Sequence, residues 1–89
     1  MAVAPGFIDL HSHSDDEILL PATRMNTSFL MQGVTTVVTG NCGMGHVEVA
    51  KYFAKAEKSG IGTNVLHLVP HGSIRERAMQ GSFDRAPTP

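Results

Sequence analysis

Phe7-Ile8-Asp9-Leu10-His11-Ser12-His13 is a short apolar run that closes on two histidines spaced i and i+2. Side chains alternate between the faces of a β-strand, so Asp9, His11 and His13 would share one face and Ile8, Leu10 and Ser12 the other. Two imidazoles on one strand face can converge on a single metal ion, with the Asp9 carboxylate behind them to ligate or to orient a ligand. Two histidines and an aspartate are costly to bury unpaired, which favours metal over a packed pair bonded to backbone carbonyls. Asp9 stands one strand repeat deeper than His11 and is expected to orient rather than to ligate.

Downstream, Gly33-Val34-Thr35-Thr36-Val37-Val38-Thr39 is a β-branched run that leads into Gly40-Asn41-Cys42-Gly43. Cys42 is the single cysteine and falls in the turn just past this strand, a place where reactive or ligating side chains gather. It cannot form an internal disulfide. With no signal-peptide pattern and no long apolar span, the chain reads as a soluble protein of a reducing compartment, the cytoplasm by default. From chemistry alone, ligation and simple space filling are evenly balanced for Cys42.

The rest of the chain alternates strand and helix. The pattern predicts strand one at 7–12, a loop through Asp15-Asp16 and Pro21, and a short helix capped by Asn26 that ends near Gly33. Strand two follows at 34–39. A helix from His46 to Lys58 would present Val47, Val49, Ala50, Phe53 and Ala54 as its apolar face, opposite Glu48, Lys51, Lys55 and Lys58, and would stop at Gly60. Strand three is placed at 64–69. Ser73 and Glu76 have the form of a capping box for a last helix over 74–79, before Gly81. This order implies parallel strands with right-handed crossovers, and His11, His13, Cys42 and His71 then all fall at the carboxyl ends of strands, where α/β folds carry their chemistry.

Val3-Ala4-Pro5-Gly6-Phe7-Ile8-Asp9-Leu10-His11-Ser12-His13-Ser14-Asp15 resembles the first-strand signature of the amidohydrolase superfamily, metal-dependent hydrolases built on a TIM-type barrel. Gln32-Gly33-Val34-Thr35-Thr36-Val37-Val38-Thr39-Gly40-Asn41-Cys42-Gly43 is similar to the N-acyl-D-amino-acid deacylases, or D-aminoacylases, in which a cysteine replaces the bridging lysine of many relatives. Asn64-Val65-Leu66-His67-Leu68-Val69-Pro70-His71-Gly72-Ser73-Ile74-Arg75 and Asp84-Arg85-Ala86-Pro87-Thr88 resemble that family's third segment. The resemblance implies zinc as cofactor, held by His11, His13 and Cys42, with Cys42 between two possible metal positions. It also implies an N-acyl-D-amino acid as substrate, cleaved to a D-amino acid and a carboxylate.

A (β/α)8 barrel takes about 250 residues, whereas this chain has 89. The expected fold class is therefore α/β, a partial TIM-type (β/α)8 barrel of about the first three parallel units, with residues 1–89 a fragment of a catalytic barrel domain. The family's two later histidines and its catalytic aspartate have no counterpart here, so no catalytic residue is assigned and the isolated chain is expected to be inactive or nearly so. At 42% hydrophobic, 17% charged and net charge −1, the composition suggests neither nucleic acid nor a membrane as partner.

The other candidates have plainer readings. His46 reads as a cap or solvent-facing residue, His67 as a packing residue in mid-strand, and Asp15, Asp16 and Glu17 as a solvated acidic loop. His71 could touch substrate or bond the loop, and Arg75 could hold a substrate carboxylate or simply face solvent. Cyclic-amide hydrolases of the dihydroorotase or hydantoinase type share the paired histidines but favour lysine where Cys42 stands. A cysteine nucleophile with a histidine base is a further alternative; the glycine-rich turn at 40–45 lacks the spacing of a nucleotide-binding loop. A non-enzymatic module that self-associates through open strand edges is the remaining possibility.

Overall fold

In a computed structural model, residues 1–82 and 84–89 are described. Three short strands form one parallel sheet: β1 (Phe7–Asp9), β2 (Val34–Thr39) and β3 (Asn64–His67), in the order β1-β2-β3. Parallel neighbours cannot be joined by tight hairpins, and helices α1 (Thr27–Leu30) and α2 (Val49–Ser59) lie in the two connections, with one-turn 3-10 segments at Glu17–Leu19 and Asn41–Gly43; α3 (His71–Ala78) follows β3. The fold class is thus α/β, as expected.

The register divides the sheet into two faces. Asp9 pairs with Val37 and Val37 with Val65, so these three share a face with Thr39 and its partner His67. Helix α2 covers that face with Tyr52 and Ala56, both buried, and Ile18 of the first 3-10 turn completes the core. On the opposite face Val38 is buried but Ile8 and Leu66 remain 57% and 56% exposed, so that side is only partly covered. No helix among the described residues is long and apolar enough to cross a membrane.

Several expectations are corrected. β1 stops at Asp9 and β3 at His67, which leaves His11, His13 and Leu68 in the loops beyond. Helix α2 starts at Val49 instead of His46, and Ala50 and Ala54 are exposed while Tyr52 and Ala56 are buried. The reason is Tyr52: its ring packs 4.5 Å from that of His67 and its hydroxyl lies 3.5 Å from Thr39 Oγ1. An aromatic ring whose polar tip has a partner buries more apolar area than alanines can, and it sets the helix rotation. Gly60, at φ 68°, ends α2 as expected by donating its N–H to Ala56 and Glu57.

Asn26 holds the N-cap position of α1, as expected, but its side chain does not cap the helix. It adopts a left-handed backbone (φ 51°) and its amide donates to Thr63 Oγ1 at 3.3 Å. The Ser73–Glu76 capping box is also absent, because α3 begins at His71 after Pro70, and Ser73 Oγ accepts the Gly45 N–H instead. Pro70 suits the start of a helix because it has no N–H to leave unpaired.

Candidate metal centre

β1 and β2 bring two ligand-bearing segments to the same end of the sheet. After β1 the chain continues beside β2, with Ser12 N–H donating to the Val38 carbonyl at 2.9 Å, and the flanking His11 and His13 turn outward, exposed to solvent. After β2 the chain turns through Gly40-Asn41-Cys42-Gly43. Gly72 packs so closely on Gly43 that a Cβ there would lie 2.6 Å from the Gly43 carbonyl oxygen, so the Cys42 turn abuts the start of α3.

The donor atoms converge. His11 Nε2 lies 3.2 Å from His13 Nε2 and 3.2 Å from Cys42 Sγ, and Cys42 Sγ lies 3.6 Å from His13 Nε2. The three form the one group of three or more metal-ligating side chains that meets among the described residues. Each imidazole Nε2 offers either one N–H or one lone pair, so the three contacts cannot all be hydrogen bonds. Tetrahedral zinc, with bonds of about 2.0–2.1 Å to nitrogen and about 2.3 Å to sulfur, would set ligand atoms about 3.3 Å (N to N) and about 3.6 Å (N to S) apart. The N–N edge and the His13–Cys42 edge are close to one face of that tetrahedron, while the His11–Cys42 edge is about 0.4 Å short of it, so the donor types and two of the three separations suit zinc.

Cys42 reaches this position through an uncommon backbone, at φ 56° and ψ 20°. A side chain held in the left-handed region costs about 1–3 kcal/mol and persists only where its surroundings over-determine it. Two side chains brace the segments. Asn41, itself buried, donates from Nδ2 to the Ser12 and Val38 carbonyls, and Asp15 Oδ2 accepts the Gly40 N–H at 2.9 Å. Asp9 Oδ1 accepts the backbone N–H of His11 at 2.9 Å and so fixes the start of the loop.

A second histidine cluster lies immediately beneath. His67 has a fully buried side chain whose Nδ1 lies 2.7 Å from Thr39 Oγ1 and whose Nε2 donates to the His46 carbonyl at 2.9 Å. Asp15 Oδ2 stands 3.8 Å from His67 Nδ1. His46 stacks on Tyr52 at 4.7 Å and bonds Asp16 through Nε2 at 2.9 Å. His46 is therefore neither a cap nor simply solvent-facing. Asp15 is not part of a solvated loop: its side chain is only 13% exposed, because the Gly40 N–H and His67 draw it inward. Sequence carried no local signal for this pairing, since Asp15 and Gly40 meet only through the fold.

His71 opens α3 and is exposed. Arg75 sits partly buried on α3. A cavity of about 480 Å³ lies beside His13, bounded by Glu17, Ala22, Thr23, Asn26 and Phe29.

Comparison with known proteins bears on this site. The chain is 57% identical over 44 residues to a D-aminoacylase of Alcaligenes xylosoxydans xylosoxydans, covering 49% of this chain and 9% of that protein. It is equally identical over 44 residues to an N-acyl-D-aspartate deacylase of the same organism, covering 8% of its length. An N-acyl-D-glutamate deacylase, also from that organism, matches at 34% identity over 101 aligned positions, covering 88% of this chain and 20% of the relative. These matches relate the chain, over part of its length, to the N-acyl-D-amino-acid deacylases. The chain spans no more than a fifth of the length of these curated relatives. No family model and no solved structure matches it.

Proposed function

We propose that the chain carries part of the active site of a zinc-dependent hydrolase that cleaves the linear amide of N-acyl-D-amino acids. His11, His13 and Cys42 would be the ligands, and the three-stranded sheet would be the first β/α units of a TIM-type barrel. The observation that carries the reading is the triangle of donor atoms, 3.2, 3.2 and 3.6 Å on its edges. The similarity to deacylases supplies the substrate class.

Zinc, when bound, lowers the pKa of water towards neutrality and polarises an amide carbonyl. The chain's own residues hold and aim the donors: His11 and His13 through Nε2, Cys42 through Sγ, and Asp9 by fixing the His11 backbone. Water adds across the amide, so the acyl group leaves as a carboxylate and the nitrogen as the amine of a free D-amino acid. None of the described residues near the cluster is assigned the transfer of a proton to that amine. The 89-residue chain alone is therefore expected to show little or no deacylase activity.

The test exchanges the ligand-bearing segment. The D-aminoacylase relative, with the segment that holds its counterparts of His11, His13 and Cys42 replaced by residues 7–43 of this chain, is expected to release a D-amino acid from an N-acetyl-D-amino acid. Cys42→Ala should abolish that release. A folded, zinc-loaded chimera that acts only on a cyclic amide, or on neither substrate, would contradict the assignment. Sustained zinc-dependent turnover by the unmodified 89-residue chain would contradict the expectation that further residues are required.

A further inference from the structure

Beyond the strands themselves, the Ser12 N–H bond to the Val38 carbonyl carries the pairing into the start of the ligand-bearing segments. His11 and His13 lie past the end of β1, and Cys42 lies past the end of β2 in a left-handed conformation. One side chain joins them at the centre. Asn41 is buried, and its Nδ2 donates to the Val38 carbonyl at 2.7 Å and to the Ser12 carbonyl at 3.2 Å. Ser12 is the residue between the two histidines, and the Val38 carbonyl also accepts the Ser12 N–H. The Asn41 carboxamide thus sits next to Cys42 in sequence and is tied to the middle of the His11–His13 loop.

We propose that Asn41 is the positioning residue of the His11–His13–Cys42 cluster, its carboxamide setting the gap between the histidine loop and the Cys42 turn and so the affinity for metal. The inference rests on the zinc reading of the cluster. Both Nδ2 hydrogens are used, so the function is that of a double donor. Aspartate, of the same shape, would turn carboxylate oxygens towards two carbonyl oxygens. Asn26 supplies the contrast: it is also a buried asparagine, but its amide makes a single 3.3 Å contact with Thr63, away from the cluster.

The test uses the 89-residue chain and two readouts. In the first, cobalt(II) is titrated in and followed by its thiolate charge-transfer and tetrahedral visible bands. In the second, metal-free protein is examined by NMR for cross-relaxation between the His11 and His13 ring protons and the Cys42 β-protons. Asn41→Ala is expected to weaken cobalt affinity about 10–100-fold, the range for groups that orient metal ligands, and to erase the cross-peaks. Asn26→Ala should leave both signals in its folded fraction. Should Asn41→Ala fail to fold, Asn41→Asp is read in its place with the same expectation. Folded Asn41 variants that keep both signals would overturn the proposal, as would a parent chain without the cross-peaks. A parent that binds no cobalt yet shows cross-peaks dependent on Asn41 would uphold the positioning role and refute the zinc reading.

Discussion

Two histidine clusters sit within a few residues of one another, and they treat the same side chain in opposite ways. Around His67 both ring nitrogens have protein partners, Thr39 Oγ1 and the His46 carbonyl, and the side chain is fully buried. Around His11 and His13 the Nε2 atoms face each other and a sulfur, all three residues are exposed, and not every contact can be a hydrogen bond. A histidine whose nitrogens are spent on the backbone and hydroxyls is part of the scaffold. One whose nitrogen lies among other donors that cannot all bond one another is, on the proposed reading, a ligand. The type of residue does not separate the two roles; the unspent donors do.

The largest expected effect breaks the exposed cluster. His11→Ala, His13→Ala and Cys42→Ala should each lower zinc affinity by more than about 100-fold, beyond the range expected for groups outside the coordination sphere. The urea midpoint of the metal-free chain should change little, because the three side chains are exposed and bury little apolar surface. Competitive chelator titration and urea unfolding check the two halves. Equal loss of stability and affinity would mean that this cluster, too, is scaffold.

The opposite pattern is expected beneath it. His67→Ala leaves a void against Tyr52 and removes the partner of the His46 carbonyl and of Thr39, so the fold should lose about 2–4 kcal/mol. Zinc stoichiometry of the folded fraction should be unchanged. Unfolding by urea with and without saturating zinc measures this, and zinc lost from folded protein would join the two clusters into one unit.

A smaller effect sharpens the contrast through pH. Burial pushes the Tyr52 phenol above its ordinary 10.0, with the charges of Asp15 and Asp16 adding and the Thr39 hydrogen bond opposing. The unfolded chain then ionises first, so the stability due to the neutral phenol is complete below about pH 10 and is lost as pH rises through the raised folded value. The urea midpoint should fall above pH 10, and less steeply in Tyr52→Phe. Identical slopes would place the phenol in water.

How much of this was legible in the sequence depended on distance along the chain. The β-branched run at 34–39 gave β2 its correct bounds, and Gly60 marked the end of α2, because both signals are local. The approach of His11, His13 and Cys42 was suggested by their places at strand ends, although the histidines lie in a loop beyond β1 and not on its face. Asn26 read as a cap, but its amide is used by Thr63, 37 positions away. Asp15 read as solvated, but it is held by Gly40, 25 positions away. Asn41 lies in the Gly40-Asn41-Cys42-Gly43 turn, where nothing local distinguishes a turn-forming asparagine from one that bridges two loops.

The most direct test of the central claim is X-ray absorption at the zinc edge of the purified chain loaded with one equivalent of metal. One sulfur at about 2.3 Å and two imidazole nitrogens at about 2.0–2.1 Å are expected, with the sulfur absent in Cys42→Ala. A shell of oxygen and nitrogen alone, or no zinc retained, would contradict the claim.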